Sequence, residues 1–224
     1  MSTRREKLRQ ETHQEILDTA RRQIAAQGAA ALSLRAIARE MGMTAPAIYR
    51  YFENRDALVT ALILEAYASF GAALEAAALQ GNASEDFTTL GMAYRAWALA
   101  HPEQYQLIFG TPIPGYQAPE EETVPAARKT LLVLVAAIEV LRESGNLNPQ
   151  PEYAELPESI AAAMEQFGET APSIYLATLL WSKLHGLVAL ELNNHLSYLV
   201  GDPEAFYKQE LQAILRQLGL IGAK

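Results

Sequence analysis

The sequence predicts an all-α protein: a small N-terminal helical domain followed by a larger helical body. Three observations carry this. Alanine and leucine are abundant while runs of valine, isoleucine and threonine are scarce, which favours helix over strand. Apolar residues recur at three- and four-residue spacing, with no strand-like alternation. The periodic stretches are punctuated by Ser, Thr, Asn, Gly and Pro where helices start and stop. The chain has 224 residues, half of them hydrophobic and a fifth charged. That is an ordinary soluble composition, with enough apolar surface for a sizeable core.

The first helix is expected over 6–27, with Ile16, Leu17, Ala20 and Ile24 along one face and Gly28 as its stop. Ser33 caps a short helix over 34–41, ended by Gly42. Thr44 caps a third over 45–51, with Pro46 in the first turn, where no internal N–H bond is lost. Asn54 caps a long fourth helix over 55–79. Gly81-Asn82 separates it from a helix over 84–100, and a short one after Pro102 ends near Gly110. TPIPGYQAPEEETVP (111–125), rich in proline and acid, reads as a connector, with Glu120, Glu121 and Glu122 in a solvated loop. Helices are then expected over 126–143, 158–167, 172–199 and 203–218, with a break at 144–152. The domains expected are 1–55 and 56–224.

Charge separates head from body. The net charge is −8, yet residues 1–60 hold ten Arg and Lys against seven acids, leaving the head at about +3 and the remainder at about −11. A basic head on an acidic body points to a polyanion as partner for the head alone. There is no cysteine, which excludes disulfides and thiolate chemistry. The charged opening MSTRREKLRQETHQ lacks the apolar core of a secretory signal, so a cytoplasmic home is expected. The apolar run 173–182, cut by Lys183, is too short to span a bilayer and reads as a buried helix; no membrane partner is expected.

Residues 33–51 read as helix, tight glycine turn, helix, the pattern whose second member enters the DNA major groove. Ile37, Met41, Met43, Ile48 and Phe52 point inward against the first helix. Ala45, Pro46, Tyr49 and Arg50 then share the solvent side. Small residues at 45–47 permit close approach to bases, and Pro46 and Ala47 offer apolar surface to a thymine methyl. Thr44, Tyr49 and Tyr51 carry hydroxyls suited to phosphate. Ser33 caps its helix beside Arg35, and Arg35 and Arg55 sit at helix N-termini, where phosphate is favoured. Arg50 is the expected base reader, forked onto guanine O6 and N7.

LSLRAIAREMGMTAPAIYRYFENRDAL (32–58) resembles the DNA-binding segment of the TetR family of transcriptional regulators. The resemblance rests on the capped helix, the Gly42 turn, Tyr49, Phe52 and the Asn54-Arg55 helix start. It implies that Tyr49 contacts phosphate and that Arg55 supplies a basic contact. HPEQYQLIFGTPIPG (101–115) and WSKLHGL (181–187) resemble the C-terminal domain of a TetR subgroup named for a Trp-His-Gly signature, here Trp181, His185 and Gly186. This implies an all-α ligand-binding and dimerisation body.

In that body Tyr94, Trp97, Tyr105, Phe109, Trp181 and His185 are candidates to line an apolar effector pocket. Glu191 and His195, at i and i+4, form half of a metal-ligand pair with no second half, and an ordinary surface contact is expected. No nucleophile elbow, phosphate-cradling loop or zinc-protease motif is present. No cofactor or metal is expected. The expected function is a repressor that binds a palindromic operator in double-stranded DNA as a homodimer, paired through the last two long helices, and leaves it when a small-molecule effector binds. The competing reading is an all-α enzyme or carrier, which would need a catalytic set in the body; none is visible.

Overall fold

The computed structural model describes residues 4–77, 83–165, 168 and 170–222, the side chains of 83–85 aside. Among these residues every regular element is helical: α1 Arg4–Gln27, a 3₁₀ turn Ala29–Ala31, α2 Leu34–Glu40, α3 Ala45–Ile48, α4 Arg55–Ala77, α5 Ala83–Ala100, α6 Pro102–Phe109, α7 Glu120–Glu143, α8 Pro151–Ala154, α9 Glu158–Glu165, α10 Ala171–Leu192, α11 Ser197–Val200 and α12 Pro203–Gln217. They form two compact units, residues 1–68 with 101–126, and residues 69–100 with 127–224.

The first unit is built on the predicted apolar face of α1. Ile16, Leu17, Ala20 and Ile24 pack with Leu34, Ile37 and Ala38 of α2, Ile48 of α3, Phe52, and Leu58, Val59, Leu62 and Ile63 of α4. Each of the leucine, isoleucine, valine and phenylalanine side chains contributes about 1.5–3 kcal/mol on burial. Met41 and Met43 are partly buried against this cluster, as are Leu107 and Ile108 of α6, and Ile113 and Tyr116 beyond it. Tyr116 Oη and Thr60 Oγ1 share a 2.9 Å hydrogen bond. Arg21 of α1 is bound to Glu65 of α4 and to Asp18. Arg22 and Gln23 reach Glu40 of α2 at 3.2 and 3.1 Å.

The second unit is organised by α10, which packs on α5, α9 and α12, while α12 packs on α5. Tyr207 of α12 is fully buried and its hydroxyl donates to the Gly91 carbonyl at 2.8 Å. The backbone of 148–150 runs against the end of α12, Asn148 N–H donating to Gly219 O and Gln150 N–H to Gln217 O.

Several elements differ from the sequence reading, and α8 starts inside the break expected over 144–152. The helix expected over 172–199 is broken: α10 stops at Leu192 and α11 starts at Ser197. Asn194 adopts φ 58°, its N–H donating to Glu191 O and that of His195 to Leu190 O. This is the left-handed cap usually formed by glycine, here made by asparagine. α10 is also longer than the apolar run inside it. With α4 it is long and apolar enough to cross a membrane, and 39% and 50% of those apolar windows are buried within the protein. The acidic run 120–122 is not a loop but the first turn of α7, where carboxylates meet the positive end of the helix dipole. Pro125 sits just past that turn, and the carbonyl it leaves unbonded belongs to exposed Glu121. Finally, α3 ends at Ile48 and continues as tighter turns, with Arg50 N–H donating to Ala47 O and Tyr51 N–H to Ile48 O. The expected ends of the helices near 79 and 167, and the Gly81-Asn82 break, lie outside the described residues.

Candidate nucleic-acid interface

The turn between α2 and α3 sets the interface. Gly42 has φ 65°, a conformation that side chains with a Cβ resist. Its N–H donates to Arg39 O and that of Met43 to Ala38 O, closing the end of α2. Ile48 and Phe52 are buried beneath α3, so the opposite side faces outward. Thr44, Ala45, Pro46, Tyr49 and Arg50 are exposed there, and Ala47 is half-exposed. Tyr49 is 45% exposed.

The remaining candidates divide by what they already do. The Ser33 hydroxyl accepts from Ala36 N–H at 3.5 Å and caps α2; its own proton stays available to an acceptor. Arg35 follows on the exposed side of the same turn. Thr44 stands at the cap of α3 without a side-chain cap bond, so its hydroxyl is not used within the helix. Tyr51 is half-buried against the head's core. Arg55 is committed internally: Nη2 donates to Ala29 O at 3.1 Å and Ala30 O at 3.4 Å, and Nη1 lies 3.5 Å from Asp56. It satisfies the carbonyls of the 3₁₀ turn, a role sequence reasoning missed because the partners are 25 and 26 residues away. Asn54 Oδ1 accepts from Ala57 N–H at 2.8 Å and caps α4.

The six pocket candidates fall into two groups. In the first unit Tyr105 and Phe109 stack edge-on at 5.3 Å, and Phe109 meets Tyr67 at 6.4 Å; burial raises the Tyr67 phenol pKa. In the second unit Phe70 lies between Tyr94 (5.3 Å) and Trp97 (4.7 Å), and Trp97 Nε1–H donates to Ser69 Oγ. Tyr94 Oη and His185 Nδ1 share a 3.0 Å hydrogen bond, and Trp181 stands 5.5 Å from the His185 ring. Burial lowers the His185 pKa, favouring the neutral imidazole.

Glu191 and His195 do not act together. Glu191 holds Arg95 through two bonds of 2.6 and 2.8 Å, and His195 is exposed beyond the end of α10. Glu204 adds a bond at 3.3 Å, and the Arg95 guanidinium lies 5.8 Å from the Tyr207 ring centre. Arg95 and Glu191 are largely buried and Glu204 is exposed; together they join α5, α10 and α12. The two carboxylates are 96 and 109 residues from Arg95, and nothing in local sequence links them. Among the described residues no group of three or more potential metal ligands is gathered.

Comparison with known proteins matches both halves of the chain. Residues 16–62 match the family model for bacterial regulatory proteins of the tetR family. Residues 87–214 match the tetracyclin repressor-like C-terminal domain. The chain is 32% identical over 196 residues to the HTH-type transcriptional regulator Rv1816 of Mycobacterium tuberculosis, covering 84% of each protein. The same values hold for the HTH-type transcriptional regulator Mb1846 of Mycobacterium bovis. Of solved structures, SCO4313, classed as a regulatory protein, superposes with a TM-score of 0.80 at 38% identity, covering 96% of this chain and 100% of that one. A tetR-family regulatory protein from Rhodococcus RHA1 has a TM-score of 0.66 at 20% identity over 94% and 98% of the two chains, a likeness of fold.

Proposed function

The chain belongs to the TetR family of bacterial regulatory proteins, a DNA-binding transcriptional regulator and not an enzyme, and from that premise we propose that it is a cytoplasmic repressor. It binds a palindromic operator as a homodimer and is released by a small-molecule effector. The observation that carries this is the outward face of α3: Thr44, Ala45, Pro46, Tyr49 and Arg50 stand exposed above a buried Ile48. Arg50 reads a guanine edge, and Tyr49 and Thr44 hold phosphates, with Ser33 and Arg35 beside them. Arg55 acts by holding the 3₁₀ turn in place. Two copies place their α3 segments about 34–36 Å apart, one helical turn of the duplex.

The dimer forms through α10 and α12. Trp181, Ser182, Gly186 and Leu190 line an exposed face of α10, and a Cβ built on Gly186 meets nothing within 4 Å. That leaves room for a second helix to approach closely. The effector binds the aromatic cluster of the second unit around Tyr94, Trp97, Trp181 and His185. Its coupling to DNA is reciprocal, so operator binding weakens effector binding by the same factor. Assignment to the Trp-His-Gly subgroup rests on Trp181, His185 and Gly186 and is part of this proposal.

Selection of bound sequences from random duplex tests the reading. Enrichment of an inverted repeat with half-sites one turn apart supports it. Enrichment of a single asymmetric site, with the protein dimeric, overturns the symmetric mode; failure to retain any duplex at low salt overturns operator binding.

A further inference from the structure

The first two turns of α1 reach beyond the core. Residues 4–11 are all exposed, and the first buried residue of the helix is Ile16. These turns carry Arg4, Arg5, Lys7 and Arg9. Lys7 lies 3.9 Å from Glu11, whereas Arg4, Arg5 and Arg9 have no ion-pair partner among the described residues.

The direction in which this segment points is set by His13. Its ring packs on Phe52 at 4.8 Å, with 31° between the planes. Phe52 ends the turns that follow α3, its N–H donating to Ile48 O. The His13 face of α1 is therefore fixed beside the C-terminal end of the recognition segment. Residues 5, 9 and 13 are spaced by four and share that face. Arg9 and His13 line one hollow, together with Glu6, Gln10 and Gln14. Arg9 and Arg5 thus lie about 6 and 12 Å farther out along the axis. Apart from Glu6, no acid among the described residues lines that hollow.

We propose that the exposed N-terminal turns of α1 are a further DNA-contacting element, in which Arg5 and Arg9 grip backbone phosphates flanking the half-site read by α3. The inference rests on the operator-binding reading above and adds a separate grip to it. A cation there releases condensed counterions and strengthens binding to every sequence alike. The guanidinium groups position the head; α3 supplies the discrimination.

The test uses the full-length protein, a duplex carrying the selected operator with about ten flanking base pairs on each side, and a mixed-sequence duplex of equal length. Affinities are measured by fluorescence anisotropy across a salt series. Arg5→Ala/Arg9→Ala is expected to make the slope of log K against log salt shallower by about 1.8 per protomer, at about 0.9 per phosphate contact. The loss should be equal on both duplexes, and Arg5→Lys/Arg9→Lys should restore the slope. Circular dichroism melting confirms that the variants fold. An unchanged slope in the alanine variant, with wild-type protein binding normally, overturns the phosphate grip alone. A change in the ratio between the two duplexes also overturns it, because these side chains would then be reading bases. Absence of binding by wild-type protein to either duplex sinks the operator-binding reading itself.

Discussion

Tyr49 and Arg50 are adjacent and both exposed, yet they are expected to fail differently. A tyrosine hydroxyl on phosphate carries no sequence information. Tyr49→Phe should weaken binding to all duplexes alike, by about 0.5–1.5 kcal/mol for one hydrogen bond. Arg50→Ala should cost about 1–3 kcal/mol against the preferred base and relax preference at that base pair. Affinities across a randomised operator set separate the two; an Arg50→Ala protein with unchanged relative affinities refutes the base-reading role. His185 is the residue through which pH should act on the body. Burial holds its pKa below the ordinary 6.5, so on acidification the unfolded chain takes up the proton first. The stability it contributes is full above about pH 6.5 and is lost as pH falls from there through the lower folded value. The melting temperature should therefore drop between pH 7.5 and 5.5, and drop less in His185→Gln. Equal drops in the two proteins would remove His185 as the cause.

Among elements, the pairing of α5 with α12 depends on a missing side chain. A Cβ at Gly91 would stand 2.6 Å from Leu211 Cδ1, and the Gly91 carbonyl accepts the Tyr207 hydroxyl. Leu211 is fully buried, so it has little room to yield. Gly91→Ala should destabilise by about 1–3 kcal/mol through overpacking, despite the gain in helix propensity; a denaturant melt showing equal or greater stability would contradict this packing. α5 is joined to α10 by Arg95 and Glu191. The hydrogen bond to Glu191 outweighs burial and keeps the Arg95 pKa raised. Such a pair adds less to stability than to specificity of arrangement, because both charges were taken out of water. Glu139 is a milder case: burial raises its pKa, but bonds from Thr170, Arg142 and Ser173 outweigh that and leave it lowered. Its contribution is present above about pH 4.5 and is lost as pH falls below that value.

For the molecule as a whole, the question is where two copies meet. Gly186 offers a test that leaves the protomer intact, since its missing side chain faces open space. Gly186→Leu should fold with an unchanged circular dichroism spectrum and shift toward monomer in analytical ultracentrifugation. DNA affinity should fall with it, because one head alone loses the second half-site. A Gly186→Leu protein that remains dimeric would place the interface elsewhere.

Local sequence determined the helices of the head, because their signals are local. Ser33 caps α2 and Asn54 caps α4 through bonds spanning three residues, and the Gly42 turn is closed by bonds of three and five residues. The inward and outward faces of 34–52 followed from helical spacing alone. Spacing did not reveal that Asn194 would end α10 in place of a glycine, or that Pro125 would sit within a helix whose acidic first turn looked like a loop. The wider connections were decided only in three dimensions: Arg55 on the 3₁₀ turn, His13 on Phe52, Tyr116 on Thr60, and Arg95 on Glu191 and Glu204. Each joins residues separated by tens of positions, and no one-dimensional period encodes which distant partner a side chain will meet. That meeting is settled when apolar faces close on one another and every buried charge must find a partner.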